Sequence, residues 1–434
     1  MPIFNQLDTK ESSFSKSFDA YLLERNKVSG EVSQLVSEII LKIRSKGDNA
    51  LKDLTKEFDG FDTDVFKISS KEINQIVRSC DKDIFKSLEY SFEKIINYQS
   101  RCFASLNLED TDNEITRKFR VIESVGIYVP GGKASYPSTV LMGAAPAIAC
   151  GVSDISITSP AQNGILNTLT IAAAKVAGIE TIYRIGGAQA IAALAIGTDQ
   201  ISKVDKIIGP GNIFVAEAKK QVYGVVGIDM VAGPSEILIV CDGTTNPDWV
   251  ALDLFSQAEH DESAQSILLT TDKEFLNQVY SSIEKLLPIM ERKSVIEKSL
   301  KNRGALILVD NLTKACELAN LIAPEHLELS VENSRSWAKL ITNAGSLFLG
   351  RYSSESLGDY CAGPNHVLPT SGSARFSSGL SVYDFKKRMS VISVSEKGAK
   401  ALGRVASTLA NGEKLSAHAL AAEYRMKNES FGED

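Results

Sequence analysis

The sequence predicts an α/β fold in which two halves, residues 120–235 and 236–376, each build a largely parallel sheet, with a helical N-terminal region over 1–119 and a C-terminal arm over 377–434. Three observations carry that prediction. From about residue 120, short β-branched runs alternate with Ala-rich segments of helical length, the pattern of β-α units around a parallel sheet. Several of those runs end in glycine turns, Gly131-Gly132, Gly186-Gly187 and Gly209-Pro210-Gly211, where the chain turns from strand to helix. A length of 434 residues also exceeds what one hydrophobic core supports, and the 44% hydrophobic content is that of a folded globular chain.

The N-terminal region reads as helical because apolar residues recur at helical spacing, first in Val32, Leu35, Val36, Ile39, Ile40 and Ile43 and again in Ile84, Leu88, Phe92 and Ile95. Ser29-Gly30 breaks the chain before Glu31 opens the first of these helices, and Gly47 and Gly60 mark further breaks beyond it. The first half should hold strands over 125–129, 154–158, 181–185 and 206–208, and the second over 236–240, 266–269, 305–309 and 346–349. Helices are expected between them over 138–149, 167–177, 247–259, 273–287 and 311–322. Ligands of open α/β sheets bind at the carboxyl ends of strands, so the glycine turns mark where a site would be built. From about 377 the chain reads as helix again, over 398–409 and 413–427, with the polar character of an arm that packs on something else.

Composition narrows the partners. The 47 basic and 54 acidic residues leave a net charge of −7, and no long run of Lys or Arg is available to grip nucleic acid or an anionic membrane, so a small-molecule substrate is expected. The first ten residues are too polar for a signal peptide. The longest apolar stretch, 140–152, is broken by Pro146 and falls short of the roughly 20 residues that span a bilayer. Six cysteines lie far apart without a Cys-x-x-Cys pair, which fits reduced thiols and a cytoplasmic location.

Only four histidines occur, His260, His326, His366 and His418, each in a cluster of polar residues. Gln257 and His260 are three apart near the end of an expected helix, so both project from one face and can grip one ion, with Asp359 and His418 as candidate partners. The plain alternative is a pair flanking a helix end, a turn aspartate and a surface histidine. Glu325 and His326 follow Pro324; a carboxylate and an imidazole so placed can serve two proton transfers, although Pro-Glu is equally an ordinary helix opening. The glycine turns lack the G-x-G-x-x-G fingerprint of dinucleotide binding, and Cys361 has no motif of an activated nucleophile.

Taken in order, several segments resemble the histidinol dehydrogenase family: Tyr128-Val-Pro-Gly-Gly132, Gly186-Gly-Ala-Gln-Ala-Ile191, Val204-Asp-Lys-Ile-Ile-Gly-Pro-Gly-Asn212, Asp229-Met-Val-Ala-Gly-Pro-Ser-Glu236, Ser256-Gln-Ala-Glu-His-Asp261, Gly363-Pro-Asn-His-Val-Leu-Pro-Thr370 and Ala417-His418. The resemblance spans about residues 25–428. It implies two incomplete Rossmann-like domains of the aldehyde-dehydrogenase kind. It implies oxidation of L-histidinol to L-histidine through L-histidinaldehyde, with two hydride transfers to NAD and a bound zinc, as the last step of histidine biosynthesis. The implied zinc ligands are Gln257, His260, Asp359 and His418, and the implied proton-transfer pair is Glu325 and His326. Substrate contacts would be Ser235, His326 and Glu413 together with the metal ligands, and NAD contacts Tyr128, Gln189 and Asn212. His366 is left with a supporting role at most. The resemblance further implies a homodimer in which the C-terminal arm, with Glu413 and His418, completes the partner's site.

Overall fold

The computed structural model describes residues 4–23, 30–104, 115–131 and 136–427. Ser29 and Gly132, at two of the expected breaks, lie outside the described residues. The chain divides into two units, Met1–Phe103 with Ile122–Phe385, and Ala104–Val121 with Lys386–Asp434.

The first unit opens with a strand, β1 (Asn5–Asp8), and then runs through helices α1 (Phe14–Leu23), α2 (Gly30–Lys46), α3 (Asp48–Asp59), α4 (Ser70–Arg78) and α5 (Lys82–Ala104). On α2 the buried residues are Val36, Ile39, Ile40 and Ile43, the three-and-four spacing that lays one face on a core. β1 corrects the expectation of a wholly helical N-terminal region. It adds as an edge strand to β10 of the second sheet, with Asn5 opposite Ala305. A four-residue edge strand has no pattern of its own, and its partner lies some three hundred residues away.

After β2 (Ile115–Val121), which belongs to the second unit, the first sheet forms. Its elements are β3 (Ser124–Tyr128), α6 (Pro137–Cys150), β4 (Asp154–Thr158), α7 (Thr168–Val176), β5 (Thr181–Tyr183), α8 (Gly187–Ile196), β6 (Lys206–Ile208), α9 (Ile213–Val222) and β7 (Gly227–Ile228). The strand order is β5-β4-β3-β6-β7, all parallel. The chain winds outward from β3 to β5, then returns to place β6 on the other side of β3. That reversal opens a crevice at the carboxyl ends of β3 and β6. Pro146 does not break the apolar run as expected, since α6 continues through it.

The second sheet is built from β8 (Glu236–Cys241), α10 (Pro247–Ala258), β9 (Gln265–Thr270), α11 (Lys273–Leu286), α12 (Lys293–Arg303), β10 (Ala305–Leu308), α13 (Leu312–Ile322), β11 (His326–Ser330), α14 (Ser334–Trp337), β12 (Ser346–Leu349) and α15 (Glu355–Tyr360). Its order is β1-β10-β9-β8-β11-β12, again parallel throughout. Successive residues of β8 feed opposite cores: Ile237, Ile239 and Cys241 pack with Leu254 and Phe255 of α10, while Leu238 and Val240 pack with Leu318 and Ile322 of α13. Each fully buried Leu or Ile adds roughly 1.5–3 kcal/mol, so this two-sided burial makes the central strands a stiff frame.

The segment after Pro324, open in the sequence between a proton-transfer pair and an ordinary helix opening, is the buried parallel strand β11, paired to β8 on one side and β12 on the other. In the second unit, β13 (Lys386–Ile392) pairs antiparallel with β2, and the helical hairpin α16 (Glu396–Gly412) and α17 (Ser416–Met426) follows. The arm therefore contains a strand before its helices, which its polar, charge-rich sequence had concealed.

Candidate active site

The alternation of β11, His326-Leu-Glu-Leu-Ser330, sends Leu327 and Leu329 into the apolar core and leaves His326, Glu328 and Ser330 for the other face. All five residues are buried. His326 donates from Nδ1 to the Glu236 carbonyl at 3.0 Å, which fixes the ring and leaves Nε2 to face the site. Glu325, just before the strand, accepts at Oε2 from the Glu236 N–H at 2.8 Å. One backbone residue of β8 therefore holds both members of the pair. Burial pushes the Glu325 carboxyl up to about 8, with the His326 charge opposing it. Burial disfavours a charge on His326, but Glu325 and then Asp359 outweigh it and raise the imidazole to about 10.

Opposite this pair stand residues from α10 and α15. Gln257, in the last turn of α10, is buried, and His260 lies just past the helix end, its N–H donating to the Gln257 carbonyl at 3.1 Å. Asp359 and Glu355 are four apart on α15 and so share a face. Asp359 Oδ1 comes within 3.3 Å of His326 Nε2. Burial works against the Asp359 charge, yet His326 holds this carboxyl well below its usual range. Burial also lowers the pKa of His260, opposed by Asp359, and so favours the neutral imidazole that a metal requires. Behind these groups lie three further acids, Glu355 and Glu328 buried and Asp253 half-buried. Glu355 is raised to about 8 by burial and then by Asp359, Glu328 is raised well above its usual value by burial and then by Asp253, and Asp253 reaches about 6 through burial.

Gln257 Oε1 is buried without a hydrogen-bond partner, and Asp359 Oδ1 and His326 Nε2 face only each other, at 3.3 Å and without hydrogen-bond geometry. Buried polar atoms are normally satisfied, because each orphan costs about 1–3 kcal/mol. The Gln257 amide oxygen and the Asp359 carboxylate, with the imidazole of His260 three residues after Gln257, offer the N and O donor types that suit zinc or a similar divalent cation. His326, Glu355 and Asp359 also bring one donor atom each within 4.8 Å of one another. The residues present fit a metal ion.

The loop at Gly363-Pro-Asn-His366 is locked to the first sheet by a specific debt. Pro146 has no N–H, so the Met142 carbonyl four residues earlier lacks its helical donor. Asn365 supplies the replacement, its Nδ2 donating to Met142 O at 2.7 Å. Gly363 adopts φ +111, open to glycine, with Tyr98 Cβ 3.1 Å from where a Cβ would sit. His366 then donates from Nδ1 to the Asp359 carbonyl at 3.1 Å, so it braces the backbone of a site residue.

In the first sheet, Tyr128 ends β3, Gln189 sits in the first turn of α8 and Asn212 caps α9 just after β6. Tyr128 is buried and its hydroxyl accepts from the Gly187 N–H at 3.1 Å, tying the end of β3 to the turn before α8. Asn212 Oδ1 accepts from the N–H groups of Phe214 and Val215, both at 3.1 Å. Between these residues, Gly209 passes so close to Tyr128 that a Cβ would meet its carbonyl oxygen at 2.1 Å. Buried Lys219 donates to Gly209 O at 2.9 Å and pairs with Asp229, whose Oδ2 accepts from Gly209 N at 2.8 Å. One ion pair thus clamps both polar groups of the turn.

The geometry splits the expectation that sites lie at carboxyl ends of strands. Tyr128 and Asn212 do sit there in the first sheet. In the second sheet, Ser235, Glu325 and His326 gather at the amino ends of β8 and β11. Glu413 and His418 belong to the second unit, Glu413 capping α16 and His418 on α17, both exposed. Sequence reading missed Glu328, Glu355 and Asp253. The alternation of β11 pointed to Glu328 and the four-residue spacing from Asp359 to Glu355, whereas nothing local marks Asp253.

Comparison with known proteins gives a consistent picture. The family profile of histidinol dehydrogenase matches residues 23–426. The chain is 51% identical to a histidinol dehydrogenase of Nitrosomonas europaea, over 97% of this chain and 98% of the relative. It is 50% identical to one of Neisseria gonorrhoeae, over 97% of this chain and all of the relative. A crystal structure of histidinol dehydrogenase from Elizabethkingia anophelis superposes with a TM-score of 0.91 at 36% identity, covering 98% of both chains.

Proposed function

The chain belongs to the histidinol dehydrogenase family, an oxidoreductase family, and on that premise we propose that it carries L-histidinol through L-histidinaldehyde to L-histidine in two NAD-dependent oxidations at a zinc site. The observation that carries the chemistry is the buried Glu325–His326 pair, held by one residue of β8 and facing unsatisfied donor atoms of Gln257 and Asp359.

When bound, NAD would accept the hydrides and zinc would help orient the substrate. Gln257, His260 and Asp359, with His418, would hold the metal; Ser235 and Glu413 would add contacts to the substrate. In the first oxidation neutral His326 takes the alcohol proton at Nε2 as hydride leaves the carbon; a cation held by Asp359 would offset the carboxylate charge that otherwise favours the protonated ring. Its Nδ1–H stays on the Glu236 carbonyl, so proton uptake needs no ring motion. In the second, Glu325 removes a proton from the water that adds to the aldehyde, and the hydrated carbon gives up its hydride. Water addition of this kind requires no thiol adduct, and Cys361 stays outside the scheme.

The NAD contacts are assigned to Tyr128, Gln189 and Asn212, at the crevice of the first sheet. We assign residues 120–235 and 236–376 to two incomplete Rossmann-like domains and 377–434 to the dimer arm. Exposed Leu402, Val405 and Leu409 on α16 with Leu420 and Tyr424 on α17 support packing of that hairpin on a second copy, in a homodimer whose shared sites take the partner subunit's Glu413 and His418. Six cysteines without a disulfide fit a cytoplasmic enzyme. No helix among the described residues is long and apolar enough to cross a membrane.

The test is to incubate the protein with histidinol and NAD and follow reduced NAD before and after a strong chelator. Loss of turnover on chelation and its return with zinc are expected. Turnover indifferent to the chelator would remove the metal from the scheme.

A further inference from the structure

We propose that Glu355 is the positioning residue that orients the Gln257 side-chain amide so that its oxygen faces the metal. The proposal rests on the metal reading above. An amide has two ends of nearly equal shape. Only Oε1 ligates a cation, because the lone pair of Nε2 is delocalised into the carbonyl. A glutamine used as a ligand therefore needs something that tells its ends apart.

Glu355 does this from the opposite side. It is 2% exposed at the start of α15, and its Oε1 lies 2.5 Å from Gln257 Nε2. Flipping the amide would set oxygen against oxygen at that distance. The contact of Oε2 with Ser256 leaves Oε1 as the oxygen that accepts from Gln257 Nε2. The result is the observed asymmetry, in which Gln257 Nε2 is paired and Gln257 Oε1 is buried without a partner.

Glu355 is itself fixed. Its Oε2 accepts from Ser256 Oγ at 2.8 Å, and its backbone N–H donates to Glu328 Oε1 at 2.8 Å. Ser256 Oγ also lies 2.8 Å from the Asp253 carbonyl within α10, so its single proton is shared between that carbonyl and Glu355. Because Glu355 and Asp359 share one face of α15, the same side chain that turns Gln257 also sets its separation from Asp359. Outer partners of this kind tune metal sites by fixing their ligands.

The experiment measures zinc affinity of the full-length protein by competition with a chromophoric chelator, with the thermal midpoint of each metal-free variant as a control on folding. Glu355→Leu removes the acceptor and is expected to weaken zinc about 10–100-fold. Gln257→Glu offers oxygen at both ends and has no orientation to lose, so in that background Glu355→Leu should cost less than about threefold. If the leucine variant unfolds, Glu355→Asp withdraws the oxygen by one methylene and serves the same comparison. Unchanged affinity in the single variant, or an equal loss in both backgrounds, overturns the proposal. Failure of the unaltered protein to bind zinc overturns the metal reading itself, and this proposal with it.

Discussion

Glu325 and His326 are adjacent in the chain, and the separate jobs proposed for them give separate predictions. Glu325→Gln should leave the first hydride transfer intact and slow the second roughly 10²–10⁴-fold, the usual worth of a general base. Rapid-quench analysis should then find histidinaldehyde on the enzyme and one reduced NAD per site. A base acts when ionised, and burial pushes Glu325 up to about 8, so oxidation of supplied histidinaldehyde should speed up as pH rises through that value and level off above it. A flat profile for the unaltered enzyme across about pH 6–9 would contradict the assignment of Glu325 as base. The pair was visible in the sequence as a carboxylate beside an imidazole directly after Pro324, and the resemblance of the surrounding chain to the family gave it a proton-transfer role. Glu328 and Glu355 were passed over although strand alternation and helix spacing pointed to them, because only burial and contacts across elements give them weight, and nothing local marks Asp253.

At the scale of the element, strands with β-branched runs on both sheets were readable, since residues such as Ile237 to Val240 are apolar on both faces and only a central parallel strand buries both. β11 escaped because His326, Glu328 and Ser330 interrupt its apolar pattern. A strand that carries the chemistry on one face reads like a loop. β1 and β13 escaped because edge and two-stranded pairings depend on distant partners. The helix α6 shows how a local defect can be used: the donor that Pro146 withholds from Met142 O comes from Asn365, and the loop bearing His366 is thereby seated. Asn365→Leu should cost about 1–3 kcal/mol in urea unfolding, the cost of a buried unsatisfied carbonyl. In a Pro146→Ala background the helix supplies its own N–H, and the same substitution should cost clearly less. Equal costs in both backgrounds would mean that the Asn365 bond is not what the proline requires.

At the scale of the whole molecule, the second unit carries two of the residues assigned to substrate and metal, and its hairpin leaves a run of leucines exposed. If active sites are shared in a homodimer, chains with His418→Ala and chains with His326→Ala should each be inactive alone. Refolded together at equal amounts, they should recover roughly a quarter of normal activity, because half the dimers are mixed and each mixed dimer has one intact site. No recovery would place both histidines in the same chain's site. The central claim is that one site performs two successive oxidations of one substrate. Its most direct test is the number of NAD molecules reduced for each histidinol consumed to completion: two, with histidine as the product, is the predicted result, and one, with histidinaldehyde released, would contradict it.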